Sequence, residues 1–318
     1  MAIVVSYDEA ILSRKQRIRD DGNWTARVDY LVSPPDAPER PQAFISEQGP
    51  GRHLPTHFHY TDQFQVFIRG GGTNGHHPIS PYQVHFARKH TPYGPLNADQ
   101  DTGCWFFTLR PRRDPGAQYL SENREKLESI PNRMPWQISA DVRFPADSIA
   151  ASSAQIEGVD DERGLAGTAI SLRSNASTLA PSAQNSDGQY IVVLEGSIVY
   201  GGKEFDSKTL VYVAPGEAPF ELVSGAKGMQ AVALNFPRAA SCSANPPAQR
   251  SPAAQEAGDE ADREFNVWAC VLCSFVYDEA EGLPSEGIAP GTRWEDVPEE
   301  WCCPDCSAKK SDFEMVKI

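Results

Sequence analysis

The chain is expected to be mainly β, with two β-barrels of similar size followed by a small C-terminal metal-binding module. Three observations lead there. Short apolar runs bounded by Gly, Pro and Asn fall into two blocks on either side of one helical stretch. All seven histidines lie between His53 and His90. Five of the seven cysteines (Cys270, Cys273, Cys302, Cys303 and Cys306) lie in the last 49 residues. At 318 residues, two or three domains are expected rather than one.

In chain order, the first block offers strands at Arg27–Val32, Gln42–Ser46, Phe64–Arg69, Tyr82–Ala87 and Cys104–Leu109. Ala117–Ile130 follows as a helix, because Leu120, Leu127 and Ile130 have helical spacing and Pro131 and Pro135 stop it. The second block offers Thr168–Leu172, Tyr190–Leu194, Ser197–Tyr200, Leu210–Val213 and Gln230–Leu234. Residues 240–263 are Ala, Pro, Ser, Gln and acid with almost no large apolar side chain, the composition of a linker. This divides the chain into a first barrel (1–115), a connecting helix and linker (116–150), a second barrel (151–239), a flexible linker (240–263) and a terminal module (264–318).

Composition narrows the function. With 40% hydrophobic and 23% charged residues, the chain can build ordinary cores. No apolar run reaches the roughly 20 residues of a membrane helix, so no membrane partner is expected. A net charge of −14 argues against nucleic acid. From Glu256 onward there are 16 acidic and 5 basic residues, so the terminal module carries most of the excess. Paired C-x-x-C motifs suit metal binding rather than a disulfide framework, and a cytoplasmic location is expected.

Cys270-x-x-Cys273 and Cys303-x-x-Cys306 supply four thiolates for a tetrahedral site suited to iron or zinc. The surrounding residues choose between them. Tyr277-Asp278, Pro290-Gly291-Thr292, Trp294 to Pro298, Trp301, Cys303-Pro304-Asp305-Cys306 and Asp312-Phe313 resemble rubredoxin along the whole module. The resemblance implies a one-electron carrier with one Fe(Cys)4 centre on Cys270, Cys273, Cys303 and Cys306. It leaves Cys302 as a bystander. Ser274 and Ser307 stand where that family usually has Gly, which bears on the potential rather than on the iron.

The run Gly51, His57, His59, Gln63, Gly70 has the spacing G-x5-H-x-H-x3-Q-x6-G. It resembles the first cupin motif, with Gln63 in place of the usual Glu. In a strand, His57 and His59 project to one face, where two neutral imidazoles can bind one metal. The second motif is weaker: Ala87 to Gly94 matches its turn, and Tyr93 falls where that family's third histidine stands. His85, His90 and Tyr93 are therefore alternative further ligands, His85 preferred as a strand residue. His57, His59, Gln63 and Tyr93 form the candidate catalytic set. His53, His76 and His77 are read as loop residues, and the glycine-rich run Gly70 to Gly75 as a flexible loop able to act as a lid. A histidine-based site of low carboxylate content favours Fe(II). Arg110, Arg112 and Arg113 are expected on a solvated rim, and Trp105, Phe106 and Phe107 to include core positions.

Gln189-x6-Gly196 and Val213-Ala-Pro-Gly216 resemble the same two motifs in outline, without any histidine. The resemblance thus implies two cupin-type barrels (double-stranded β-helix), the second without metal and serving packing or dimerisation, so a homodimer is a reasonable expectation. A redox-neutral isomerase has no use for an attached electron carrier, whereas an iron oxygenase has. The expected activity is that of a non-haem iron mono- or dioxygenase acting on O2 and a small organic molecule. Electrons would come through the rubredoxin from a rubredoxin reductase or similar NAD(P)H-dependent reductase. The alternatives are a redox-neutral cupin enzyme, or a redox or metal sensor in which the rubredoxin is a docking or sensing module.

Overall fold

The computed structural model describes residues 2–20, 22–75, 77–131, 133–145, 150–160, 163–238, 265–270, 275–299, 301, 303, 310 and 315–317. The expected linker 240–263 lies outside the described residues, as do His76, Cys273, Ser274, Cys302, Cys306 and Ser307. No helix among the described residues is long and apolar enough to cross a membrane.

The first block is an antiparallel seven-stranded sheet. Its order is Gln137–Asp141, Gln83–Ala87, Gln63–Gly70, Cys104–Arg110, Gln42–Gln48, Trp24–Leu31, Lys15–Ile18. A four-stranded sheet of short pieces belongs to the same block: His53–Leu54, Leu96–Ala98, Gly72–Asn74 and His77–Ile79. The second block is one eight-stranded sheet built on Gln189–Tyr200 and Glu221–Asn235, which pair along most of their length.

The two blocks exchange strands across the expected boundaries. Ile3–Val5 pairs with Leu210–Val213 in the second sheet, so residues 1–115 are not self-contained. Gln137–Asp141, expected in a connector, pairs with Gln83–Ala87 at the edge of the first sheet. Tyr190–Leu194 and Ser197–Tyr200 are one strand, because register shifts at Val193/Glu195 and Gly196/Ile198 bend it without ending it. The helix is shorter than expected, Leu120–Glu128, and Asn123 breaks its regular φ/ψ. Gln118–Tyr119 before it is a short strand paired with His57–Phe58. His53 and His77 sit in short strands rather than loops. Gly72 pairs with Ala98 in the four-stranded sheet, so part of the expected lid is fixed backbone.

Period-two alternation explains where the cores lie. On Gln63–Gly70, Phe64 and Val66 join a large cluster that also holds Phe86, Phe107 and Leu109 of the first block with Tyr190, Val192, Leu234 and Phe236 of the second. This cluster joins the two blocks. Phe107 and Phe64 are fully buried, each contributing roughly 1.5–3 kcal/mol by burial. Residues of the opposite parity, Gln63, Gln65, His85, Thr108 and Arg110, are also buried, and they face the interior of the first block. Phe106 and Phe107 are core positions as expected, while Trp105 is half-buried under Arg69.

The terminal module pairs Val267–Cys270 with Val276–Asp278 and Met315–Lys317. Its organiser is Glu279, a buried carboxylate. It accepts hydrogen bonds from Asn266 N at 2.8 Å, Trp268 Nε1 at 2.7 Å, Trp294 N at 3.0 Å and Arg293 Nη1 at 2.8 Å. Burial alone would raise its pKa, but these donors hold it at about 2.

Candidate metal centre

His57 and His59 are buried and lie edge to face, with ring centroids 5.2 Å apart. Each ring is fixed through Nδ1. His57 Nδ1 donates to the Pro55 carbonyl at 2.7 Å, and His59 Nδ1 donates to Asp114 Oδ1 at 2.7 Å. With Nδ1 protonated in this way, Nε2 of each ring carries the lone pair; that of His59 lies 3.4 Å from Arg110 Nη2, a donor that a metal would displace. Burial, with the neighbouring His59 next, lowers His57 to about 3, so the imidazole is neutral at physiological pH.

Asp114 is the residue that the sequence reading missed. It accepts from His59, from Tyr60 N at 2.8 Å and from Gly116 N at 2.8 Å, and it lies 3.6 Å from Arg110 Nη1. Burial would raise its carboxyl, but the His59 hydrogen bond and the Arg110 charge hold it at about 2. Arg110 corrects the expected solvated rim. It is only 4% exposed, because it ends Cys104–Arg110 on the same face as Phe106 and Thr108. Its Nε donates to Gln63 Oε1 at 2.8 Å, its Nη1 to Gln42 Oε1 at 2.7 Å, and its Nη2 lies 3.2 Å from His59 Nδ1. Arg112 is exposed, as expected, and Arg113 is half-buried.

Gln63 is engaged at both ends of its amide. Its Oε1 takes the Arg110 bond and its Nε2 donates to Tyr93 Oη at 2.6 Å. It organises the site, and a carboxylate here would form a direct ion pair with Arg110. Tyr93 is buried and held opposite His57 by two backbone hydrogen bonds of 3.0 and 3.1 Å. All three interior histidines pack against its ring: His57 at 4.6 Å, His85 at 5.2 Å and His59 at 6.1 Å.

Of the expected further ligands, Tyr93 stands beside the pair, while His85 packs against Tyr93 and His90 against Tyr60. His85 is buried, with Nδ1 at 2.9 Å from Ser139 Oγ and Nε2 lacking a partner. It meets Tyr93, whose phenol occupies the space next to the pair. His90 sits in the turn with φ +61, half-buried against Tyr60 at 5.5 Å, so the turn aims it away from the interior. Among the described residues no three His, Cys, Asp or Glu side chains stand together in metal-holding geometry. The donor chemistry therefore fits a divalent first-row metal as a two-nitrogen pair, His57 and His59, with the remaining positions left to water or substrate.

In the terminal module, Cys303 is fully buried beside Trp301, and Cys270 ends the strand Val267–Cys270. Fold and site together define a mainly β protein with a buried histidine pair, followed by a small cysteine-bearing module. Residues 267–313 match the rubredoxin family model. Rubredoxin-1 of Alcanivorax borkumensis is 69% identical over 51 residues, which is 16% of this chain and 94% of that protein. Through this module the chain belongs to the rubredoxin family, and membership implies an iron centre.

Two solved cupin proteins resemble the remainder in fold. A putative dioxygenase from Nostoc punctiforme superposes with TM-score 0.54 at 12% identity, covering 76% of this chain and 85% of that one. The bacterial pirin YhhW of Escherichia coli, solved in complex with nickel(II), superposes with TM-score 0.51 at 7% identity, covering 74% of this chain and 99% of that one. Three quarters of the chain is more than either block alone, so the likeness of fold spans both.

Proposed function

We propose that the chain is a non-haem iron oxygenase of cupin type acting on a small organic molecule. In this reading its rubredoxin passes electrons from an external NAD(P)H-dependent reductase to the site at His57 and His59. The position of Phe58 carries the reading. In the strand His57–Phe58 the histidine faces inward and Phe58 faces the other way. Phe58, with Leu120 and Leu127 of the helix, shares one buried cluster with Phe275, Tyr277, Val297, Trp301 and Cys303 of the rubredoxin module. One residue thus has a candidate metal ligand on each side of it in the chain and belongs to the same buried cluster as the rubredoxin core. This shared cluster supports a rubredoxin seated close to the histidine pair, as a one-electron transfer between the sites would need.

Iron bound at the pair would supply O2 activation. The chain supplies the rest. Asp114 and the Pro55 carbonyl hold the two imidazoles in the ligating tautomer. Arg110 places a fixed positive charge beside His59, which favours negative charge developing on oxygen there. Tyr93 and Gln63 form a buried donor pair on the same face. In monooxygenation, one substrate, one O2, two electrons and two protons give one hydroxylated product and one water, so the rubredoxin would cycle twice per turnover and NAD(P)H would lose one hydride.

The test uses the iron-loaded full chain with rubredoxin reductase and NADH. O2 uptake is expected to fall at least tenfold in Cys303→Ser and in His57→Ala. Unchanged uptake in Cys303→Ser would remove the relay, and unchanged uptake in His57→Ala would remove the site.

A further inference from the structure

The second block contains no histidine, yet one of its side chains reaches the strand end that serves the histidine pair. Tyr190 is the second residue of Gln189–Tyr200, fully buried, and it pairs with Tyr212, the two rings 5.1 Å apart. Phe64 holds the same place in the first block. It is the second residue of Gln63–Gly70, fully buried, and it pairs with Phe86 at 4.8 Å. A phenyl ring therefore meets the packing need of this position, and the Tyr190 hydroxyl is an addition to it. That hydroxyl donates to the Arg110 carbonyl at 2.8 Å, with the Gln42 carbonyl at 3.3 Å.

Arg110 is where regular structure stops. Residues 111–117 form neither helix nor strand, and Pro111 has no N–H to donate. This stretch nonetheless delivers Asp114 to His59 Nδ1 at 2.7 Å, and Arg110 Nη2 lies 3.2 Å from the same nitrogen. Backbone outside a ladder keeps its place through individual bonds. Arg113 N donates to the Pro38 carbonyl at 2.8 Å within the first block. Two further ties come from the second block: Tyr190 on the Arg110 carbonyl, and Asp187, which accepts from Arg112. The Arg112–Asp187 pair lies toward solvent, where an ion pair contributes little. The Tyr190 bond is buried, where its loss leaves a carbonyl short of a donor.

We propose that Tyr190 is a positioning residue for the histidine pair. Its hydroxyl fixes Arg110 and the turn after it, and through Asp114 the tautomer and orientation of the His59 ring. The second block is then a brace for a site it does not contain. The inference rests on the proposed use of His57 and His59 as metal ligands, because a ligand ring held in place by its outer partners is what sets metal affinity.

The test uses the full chain and Tyr190→Phe, which removes the hydroxyl and leaves the ring that Phe64 has. Tyr30→Phe is the control. Its hydroxyl also crosses between the blocks, donating to the Lys208 carbonyl at 2.8 Å, a residue outside the segment 110–114. Thermal melts confirm that each variant is folded. The first readout needs no metal at the pair: solvent exchange of the imidazole Nδ1 protons, followed by nitrogen-resolved NMR. In Tyr190→Phe the His59 proton is expected to exchange at least about tenfold faster. The His57 proton, held by Pro55, should stay within about twofold, as should both protons in Tyr30→Phe. Unchanged His59 exchange in Tyr190→Phe, or equal acceleration at His57 and His59, would overturn the brace. The second readout is calorimetric titration with Co(II), expected to bind at least about threefold more weakly in Tyr190→Phe and within about twofold in Tyr30→Phe. Unchanged Co(II) affinity in Tyr190→Phe would overturn the positioning role. Co(II) binding that is the same in His57→Ala as in the unaltered chain would instead remove the metal reading, and the exchange rates alone would then decide the brace.

Discussion

The two β blocks carry the same frame and opposite interiors. In the first, Gln63 pairs with Ala87 and is followed by Gly70; in the second, Gln189 pairs with Val213 and is followed by Gly196. Gly70 and Gly196 both have positive φ, +74 and +72, and a methyl group on either would run into the carbonyl of the matching glycine, Gly103 or Gly228. His90, in the left-handed turn position at φ +61, matches Gly216 at +79. At the same offsets, His57 matches Ala183, His85 matches Val211 and Tyr93 matches Pro219. Ala183 and Val211 are buried in an apolar cluster. The shared frame therefore does not require the polar residues. The first block holds a charged interior where the second has apolar packing at Ala183 and Val211.

Four experiments bear on this contrast. Asp114→Ala leaves the Arg110 cation buried beside His59, so roughly 3–5 kcal/mol of stability is expected to be lost, read by urea unfolding. A loss under 1 kcal/mol would mean that the first interior is not electrostatically organised. The rubredoxin offers an independent comparison, because Glu279 is held at about 2 against an ordinary value of 4.5. A depressed carboxyl stabilises fully above its unfolded pKa and loses that contribution as pH falls toward the folded value. About 3 kcal/mol is therefore expected to disappear between pH 5 and about 2. Glu279→Gln should flatten that part of the acid-unfolding profile, and an identical profile would contradict the assignment.

The shared frame is tested by Gly70→Ala and Gly196→Ala. Each is expected to cost roughly 2–4 kcal/mol from positive φ and overlap, by similar amounts in thermal melts. A cost confined to one block would break the equivalence. The smallest effect is expected from Tyr93→Phe, which removes the acceptor of the Gln63 amide for about 1 kcal/mol. It should lower O2 uptake by more than this stability loss explains, if the hydroxyl acts at the site.

Strand alternation and motif spacing made most of the frame legible. Cys104–Arg110, Leu210–Val213 and the His57/His59 pair follow from local pattern. The exchange of Ile3–Val5 into the second sheet did not, because nothing local to those residues specifies a partner two hundred positions away. Arg110 could have been found: it has the parity of Phe106 and Thr108, and only the habit of reading arginine as exposed hid it. Asp114 carried no signal, since it follows the strand by a turn and meets His59 only through tertiary packing. His85 has interior parity as expected, but Tyr93 takes the space beside the pair, and parity cannot report on a neighbour.

The relay can be judged without knowing the substrate. The iron-loaded full chain is reduced anaerobically, mixed with O2 in a stopped-flow instrument, and the return of the ferric tetrathiolate visible absorption is followed. If the rubredoxin feeds the histidine pair, reoxidation in the unaltered chain should be at least tenfold faster than in His57→Ala/His59→Ala. Equal rates in the two proteins would show that the rubredoxin iron meets oxidant without the cupin site, and the proposed coupling would be wrong.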